Sequence, residues 1–294
     1  MSAARPRSMT GFLAATARFA TGEGYAKGLR FRPRASDVII SPYAKCGTTW
    51  MQQIVHGLRT GGDMAFAEIT EVVPWIELAH DLGIDLEAEQ AAEPRAFKSH
   101  LRWQEVPKGA RYIVVFRDPL DAFLSFFRFM EGWFFERGMI SVEAFGDYVL
   151  SRPEEDSYWG HAASWWAERD REEVMLLSYE RMKRDLPGVV ADVARFIGVK
   201  ADQARLDVAT EQAGFAFMKA HAGQFDDNLV RAARDAACGL PEGGASNKVS
   251  DGKAGRGRAE VSDALRARFA ERWQESLGAH HGLADYQALS EALG

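Results

Sequence analysis

A lysine, a cysteine, a glycine and two threonines follow a short apolar run near the start of the chain. The run is Val38-Ile39-Ile40, and the polar group is Lys45 to Thr49. A buried strand, a short loop and then a helix is the layout of a phosphate-binding loop, since loop amides and the helix N-terminus point at one anion. The order is not that of a Walker A loop, because the first glycine is missing and Lys45 precedes Gly47. A nucleoside triphosphate is therefore not the obvious ligand, and an ordinary strand-to-helix turn is the alternative.

An arginine at the end of a second apolar run is the next candidate. Arg117 follows RYIVVF (residues 111–116), and Ser125 lies eight residues further on, just over two helical turns away. A guanidinium can hold an oxyanion through two parallel hydrogen bonds. A phosphate that contacts both residues must lie along the helix. Pairing of Arg117 with a local carboxylate is the alternative.

A glycine-rich basic segment is the third candidate. Residues 241–258 contain five glycines, and residues 246–258 hold four basic residues against one aspartate. This composition predicts a flexible basic loop, with a disordered surface loop as the alternative. Three such features on one chain predict a nucleotide ligand with phosphates in more than one place.

The pattern of apolar runs predicts the scaffold of these loops. Runs typical of buried strands occupy residues 38–40, 111–116 and 174–177, and a weaker one occupies residues 95–99. Helical patterns lie between and after them, at residues 48–58, 119–129, 141–150, 157–169, 181–197 and 262–277. Alternating strands and helices predict a three-layer α/β/α fold with a central, mostly parallel sheet. Ligands are then expected at the carboxyl ends of the strands.

Composition excludes several classes of protein. The chain has 294 residues and a formal net charge of -6, so no global basic field would attract nucleic acid or an anionic membrane. The longest stretch without Asp, Glu, Lys or Arg is thirteen residues, whereas a membrane-spanning helix needs roughly 20, so no membrane span is expected. Cys46 and Cys238 are the two cysteines, which favours a reducing, cytoplasmic compartment. No Cys/His cluster has zinc spacing, and no metal is expected.

Several segments together resemble the cytosolic-type sulfotransferases, which transfer a sulfuryl group from 3′-phosphoadenosine 5′-phosphosulfate (PAPS) to a hydroxyl or amine. Residues 31–50 are similar to the family's strand and phosphosulfate loop, with Ala44 and Cys46 in place of Pro and Ser. Similar segments recur at residues 96–100, 116–125 and 157–182, and the likeness spans roughly residues 31–275. It implies a P-loop-like phosphosulfate-binding loop in a single domain over residues 31–294, preceded by an N-terminal extension over residues 1–30.

The resemblance also implies a set of PAPS-binding residues. The 5′-phosphosulfate would lie in the loop, the 3′-phosphate between Arg117 and Ser125, and the nucleotide against Tyr179, with Phe215 stacking on adenine opposite Trp50. The family's final loop matches in its glycines but lacks the usual Arg-Lys pair, so Lys248, Lys253 or Arg256 is expected to supply the cation. The implied set is Lys45, Cys46, Gly47, Thr48, Thr49, Trp50, Arg117, Ser125, Tyr179, Phe215, Gly252 and Lys253.

Three residues are implied in catalysis. His100 would be the general base that takes the proton of the acceptor hydroxyl, with a buried structural histidine as the alternative. Lys98 lies two residues earlier on the same strand face, and Lys45 would neutralise charge on the leaving phosphate. His161 is expected to be packed structure near the site. Cys46 either replaces the family's serine or is an oxidisable thiol whose pKa is lowered by the helix N-terminus.

The acceptor side is predicted from an aromatic cluster. Residues 123–135 contain seven aromatic side chains and Met130, more than one helical stripe buries. Part of residues 130–135 is therefore expected to line an apolar acceptor pocket; the alternative is that all are core. The sequence thus predicts a sulfotransferase for a small, largely apolar alcohol or phenol. A nucleotide kinase-like phosphotransferase and an inactive relative that binds PAPS or adenosine 3′,5′-bisphosphate (PAP) are the alternatives. The oligomeric state is left open, because residues 258–267 match the family's dimer segment poorly.

Overall fold

A parallel sheet of four short strands forms the middle layer of the protein. The computed structural model describes residues 4–243 and 260–294. Within them the strand order is β2-β1-β3-β4, and every neighbouring pair is parallel. Each strand lies where an apolar run predicted one: β1 (Val38–Ile40), β2 (Ala96–Lys98), β3 (Arg111–Phe116) and β4 (Val174–Ser178).

Fifteen α-helices connect and cover the strands in the described chain. They are α1 (Met9–Thr16), α2 (Gly22–Leu29), α3 (Thr48–Thr60), α4 (Ile69–Val72), α5 (Pro119–Trp133), α6 (Val142–Ser151), α7 (Tyr158–Trp166), α8 (Tyr179–Arg184), α9 (Leu186–Phe196), α10 (Gln203–Ala213), α11 (Phe215–Ala220), α12 (Asn228–Cys238), α13 (Asp263–Trp273), α14 (Ala279–His281) and α15 (Tyr286–Ala292). No described helix has the length and apolar character that a membrane crossing requires.

The two faces of the sheet bury two separate apolar cores, because successive side chains of a strand point to opposite faces. Ile40 and Val115 lie on one face and pack with α3, α9 and α10. Ile39 and Val114 lie on the other face and pack with α1, α5, α6, α7, α12 and α13. Helices therefore cover both faces of a parallel sheet, and the predicted three-layer α/β/α fold is confirmed.

The helix predicted over residues 181–197 is wrong in its extent. The structure has two helices here, α8 and α9, separated at Asp185. Pro187 has no N–H to continue the first helix, and it lies in the first turn of the second, where none is needed. The Asp185 carboxylate accepts a hydrogen bond from the Gly188 amide at 3.0 Å and caps α9. Tyr179, the first residue of α8, directly follows the end of β4.

The N-terminal residues are part of the main core rather than a separate appendage. Phe12 of α1 is 1% exposed and makes edge-on ring contacts with Phe134 and Phe135 at 6.4 and 5.6 Å between centroids. Arg5 donates from Nε to the carbonyl of Trp133 at 3.2 Å. The described part of the predicted extension, residues 4–30, therefore packs on the same core as the helices that cover the sheet.

A fully buried ion pair joins the starts of β1 and β2. Arg95 and Asp37 have side chains with no exposure, and Nη2 of Arg95 lies 2.7 Å from the Asp37 carboxylate. Arg95 Nη1 also donates to the carbonyls of residues 86–88 at 3.1 to 3.3 Å. The guanidinium thus orders the chain that leads into β2, the strand that precedes His100.

Arg95→Ala is expected to lower the free energy of unfolding by about 3–5 kcal/mol, because it leaves the Asp37 carboxylate buried without its partner. Urea unfolding followed by circular dichroism measures the change. The matched control is Arg268→Ala, which removes an exposed pair with Asp147 and is expected to cost about 0–1 kcal/mol. Equal losses in the two variants would contradict a structural role for the buried pair.

Candidate functional site

One cavity of about 670 Å³ lies at the carboxyl ends of the strands and collects most of the predicted site residues. Cys46 does not line it, and Gly252 and Lys253 lie outside the described residues, as do Lys248 and Arg256. Across residues 4–243 and 260–294 no group of three or more His, Cys, Asp or Glu side chains is arranged to hold a metal ion. The predicted residues that line the cavity are Lys45, Gly47, Thr48, Thr49, Trp50, Lys98, His100, Arg117, Ser125, Tyr179 and Phe215.

The loop after β1 has the backbone of an anion-binding turn. Lys45 and Gly47 have φ angles of 67° and 93°, and α3 begins at the next residue, Thr48. When residues in the left-handed conformation alternate with others, successive backbone N–H groups point toward one place. The first N–H groups of a helix also lack hydrogen-bond partners within the helix. The Thr48 hydroxyl is buried and makes no hydrogen bond with the described residues. These donors fit an anion held at the loop.

Gly47 is required in this loop for two reasons. Its φ of 93° lies in the region that side chains with a Cβ rarely adopt. A Cβ there would also lie 3.2 Å from the ring of Tyr179. The glycine lets the loop pass directly beneath Tyr179.

Arg117 connects the end of β3 to this loop. Its Nη1 donates to the Lys45 carbonyl at 2.9 Å, and its guanidinium lies 4.6 Å from the centroid of the Tyr179 ring. Its Nε is buried without a hydrogen-bond partner in the described part of the chain. Arg117 therefore supports the loop, and the residue also lines the cavity.

Helix α5 carries Ser125 along the cavity from Arg117. Asp118 caps the helix by accepting from the amides of Leu120 and Asp121, each at 3.0 Å, and Pro119 is its first residue. This start matches the predicted cap. The helix consequently begins directly after Arg117 and places Ser125 on the wall of the same cavity.

Three aromatic residues form one end of the cavity. Trp50 donates from Nε1 to the Ala213 carbonyl at 2.7 Å and meets the Tyr179 ring edge-on at 5.5 Å. Phe215 begins α11 two residues after Ala213 and is 47% exposed, unusual for a phenylalanine. Burial raises the pKa of Tyr179, so its phenol stays protonated. Trp50 and Phe215 together offer apolar surface suited to a flat ring.

The hydrogen bonds of His100 set which ring nitrogen is basic. Nδ1 lies 2.7 Å from the carbonyl of Pro42. A carbonyl only accepts, so Nδ1 carries the proton and Nε2 is the nitrogen that can take another. The His100 amide donates to the Glu77 carboxylate at 2.7 Å, and the ring meets Trp75 edge-on at 5.1 Å. His100 is half-buried and lines the cavity, with Nε2 as its basic nitrogen.

The two lysines of the site both lie against aromatic rings. Nζ of Lys98 is 3.5 Å from the centroid of Trp75, the ring that His100 contacts. Nζ of Lys45 is 4.1 Å from the centroid of Phe129 in α5. Ring faces attract cations. Both ammonium groups are thereby held at the cavity that His100 lines.

Two residues singled out in the sequence have structural roles. Burial raises the pKa of the Cys46 thiol to about 12, so burial outweighs the helix N-terminus, and the interpretation of Cys46 as an oxidisable thiol is not supported. His161 is buried and its Nε2 lies 3.1 Å from the Ser41 carbonyl. Burial lowers the pKa of His161 to about 3, which keeps it neutral. His161 is packed structure beneath the loop, as expected.

The part of the cavity away from Trp50, Tyr179 and Phe215 is largely apolar. Met130, Trp133 and Phe134 line it, whereas Phe135 is fully buried in the core, so the segment 130–135 divides between the two predicted roles. Further lining residues were not predicted from the sequence, because their positions depend on packing between distant elements. They include Phe12, Thr16, Phe19, Trp75, Phe126, Tyr148, Arg152, Lys183 and Asp227.

The C-terminal helix joins the ends of β3 and β4, which the sequence also did not indicate. The Tyr286 hydroxyl lies within hydrogen-bond distance of the Phe116 carbonyl, at 3.1 Å, and of the Glu180 carboxylate. Phe116 precedes Arg117, and Glu180 follows Tyr179. Tyr286 thus holds together the two strand ends that carry these cavity residues.

Comparison with curated proteins finds sulfotransferases. The family model described as "Sulfotransferase domain" matches residues 35–279. Human sulfotransferase 1C2 is 29% identical over 213 residues, which are 68% of this chain and 71% of that protein. Human sulfotransferase 4A1 is 31% identical over 193 residues, which are 62% of this chain and 66% of that protein.

Comparison with solved structures supports the same fold. A mouse sulfotransferase, SULT7A1, complexed with PAP has a TM-score of 0.66 at 18% identity and covers 93% of this chain and 94% of its own. Retinol dehydratase in complex with androsterone and the inactive cofactor PAP also scores 0.66, at 20% identity, covering 87% of this chain and 85% of its own. The family match, the relatives and the fold agree, and the chain belongs to the sulfotransferase family of the cytosolic type.

Proposed function

We propose that this protein transfers a sulfuryl group from PAPS to the hydroxyl of a small, largely apolar alcohol or phenol. The observation that carries the proposal is that one cavity joins the loop at Lys45, the base at His100 and the apolar wall at Trp133. Retinol dehydratase, which shares the fold, has been solved with androsterone and with retinol, two apolar compounds that bear a hydroxyl. A reducing cytoplasm is the proposed compartment.

The donors of this cavity suit the anionic groups of PAPS. Buried donors without a partner are costly unless a ligand completes their hydrogen bonds, and Thr48 Oγ1 and Arg117 Nε are two such atoms in the described chain. Lys45, Thr48 and the loop amides would hold the 5′-phosphosulfate. Arg117 and Ser125 would hold the 3′-phosphate, and Trp50 and Phe215 the adenine. When bound, PAPS supplies the sulfuryl group and a phosphate leaving group.

His100 would remove the proton of the acceptor hydroxyl through Nε2. Its Nδ1 proton is held by the Pro42 carbonyl, which orients the ring and favours the imidazolium that forms. Lys98 and Lys45 place positive charge at the same cavity, where negative charge develops during transfer. These residues would supply an acid-base group and electrostatic stabilisation within one cavity.

PAP is expected to stabilise the protein against heat, whereas ATP is not. The loop lacks the Walker A order that cradles a triphosphate. At a PAP concentration of ~100 times Kd, binding adds about 2.7 kcal/mol to the free energy of unfolding, which raises Tm by several degrees. Differential scanning fluorimetry with each nucleotide measures this. A larger shift with ATP would favour the kinase-like phosphotransferase instead.

His100→Ala is expected to lower kcat by about 10²–10⁴-fold, because general-base catalysis contributes that much. Transfer of labelled sulfate to a panel of phenols and alcohols measures kcat, and the PAP-induced Tm shift is expected to persist. His80→Ala is the control, since His80 is exposed and outside the cavity. A near-normal rate would remove His100 from the role of base. An inactive wild type that still binds PAP would point to the PAP-binding relative.

Arg117→Lys is expected to weaken PAP binding by roughly ten- to a hundredfold, because a lysine keeps the charge but loses the planar fork. AMP, which lacks the 3′-phosphate, is expected to lose much less affinity. Titration calorimetry with both nucleotides measures the difference. Arg128→Lys on α5 is the control, since Arg128 pairs with Glu260 outside the cavity. Equal losses for PAP and AMP would show that Arg117 acts only by supporting the loop.

A further inference from the structure

Arg152 is a cationic residue that lines the cavity and is not among the residues assigned to the nucleotide. Arg152 follows α6 directly, is half-buried and lines the cavity. Its guanidinium lies 5.9 Å from the centroid of Tyr148, another lining residue. Tyr148 in turn meets Phe12 edge-on at 5.8 Å. Arg152 is therefore the charged member of a wall built mainly of rings.

A series of ring contacts connects the Tyr148 ring, beside Arg152, to His100. From Phe12 they run through Phe134 to Phe19, with centroid distances of 6.4 and 5.7 Å. Phe19 then meets Trp75 at 5.9 Å, and Trp75 meets His100 at 5.1 Å. The nucleotide-side residues Trp50, Tyr179 and Arg117 form a different cluster. Arg152 thus lies on the side where the acceptor is proposed to bind.

The guanidinium has no counter-ion in the described chain. Within residues 4–243 and 260–294, its side chain makes no salt bridge or hydrogen bond; its charge interacts with the Tyr148 ring and with the Tyr43 phenol, neither of which is an anion. Glu154, two residues further on, is paired with Arg272 at 2.5 Å. A cation beside apolar surface is stabilised when an anion reaches it. Arginine is suited to a carboxylate, which it binds through two parallel hydrogen bonds.

We propose that Arg152 binds a carboxylate of the acceptor, so that the preferred acceptors are apolar hydroxy acids. The inference rests on the proposed function and deepens it by naming the substrate class. The hydroxyl of such an acceptor faces His100, its apolar body lies against the rings, and its carboxylate reaches Arg152. The acceptor is then selected by two groups of the cavity, the guanidinium of Arg152 and the imidazole of His100.

Two phenols that differ only in a carboxylate test the proposal. The acid is para-hydroxyphenylpropionate and the neutral partner is para-propylphenol, each assayed with PAPS for kcat/KM. The wild type is expected to favour the acid. Arg152→Gln is expected to lower the ratio of acid to neutral kcat/KM by roughly ten- to a hundredfold, the value of a charge-assisted hydrogen bond. Arg137→Gln, which removes an exposed charge outside the cavity, is expected to leave the ratio unchanged.

Charge reversal separates recognition from packing. Arg152→Glu is expected to shift preference from the acid toward tyramine, a phenol of similar size with an ammonium group, which a loss of packing alone does not produce. An unchanged acid-to-neutral ratio in Arg152→Gln overturns the proposal. The proposal is also overturned if Arg152→Gln lowers PAP affinity by as large a factor as it lowers kcat/KM for the acid, since Arg152 would then belong to the nucleotide site.

Binding measurements distinguish failure of this proposal from failure of the proposed function. Calorimetry of para-hydroxyphenylpropionate with the PAP-loaded protein reports Arg152 without turnover. Binding that weakens in Arg152→Gln, together with no sulfate transfer by the wild type, would contradict the sulfotransferase reaction but support the carboxylate site. Absence of binding to the wild type would contradict the carboxylate site, whatever the rate with neutral phenols.

Discussion

The hydrogen bond between His100 Nδ1 and the Pro42 carbonyl joins the two halves of the site. It depends on strand register: β1 and β2 are parallel, with Ile40 opposite Lys98, and Pro42 and His100 each lie two residues beyond that pair. Parallel strands end at the same edge of a sheet, so His100 and the loop after β1 start from adjacent points. The hydrogen bond then holds the His100 ring in a single tautomer beside the loop.

Residues that follow β3 and β4 also contact the loop after β1. Arg117, after β3, contacts the Lys45 carbonyl, and Tyr179, after β4, packs over Gly47. Arg117, which is proposed to bind the nucleotide, thus also supports the backbone of the loop at Lys45. Thr48 and Arg117 both line the cavity, and the buried Oγ1 of the one and Nε of the other have no hydrogen-bond partner in the described chain.

The proposed acceptor wall is assembled from elements far apart in the chain. Phe12 comes from α1, Trp133 from α5 and Tyr148 from α6, and all three line the cavity. Edge-on ring contacts hold these helices together, so the shape of the wall depends on packing within the same core that covers the sheet. Arg152 adds charge to a surface whose other residues are mostly apolar.

The sequence by itself determined the four strands, the loop at residues 45–50 and the capped start of α5. Those features rest on local patterns: apolar runs, turn chemistry, and a proline after an aspartate. Pro187 is also local, yet its break in the helix over residues 181–197 was missed. Only the tertiary structure decided that Cys46 is buried, that Phe12 belongs to the cavity and that Arg152 faces it. Burial and distant contacts depend on how helices pack, which no single segment of sequence encodes.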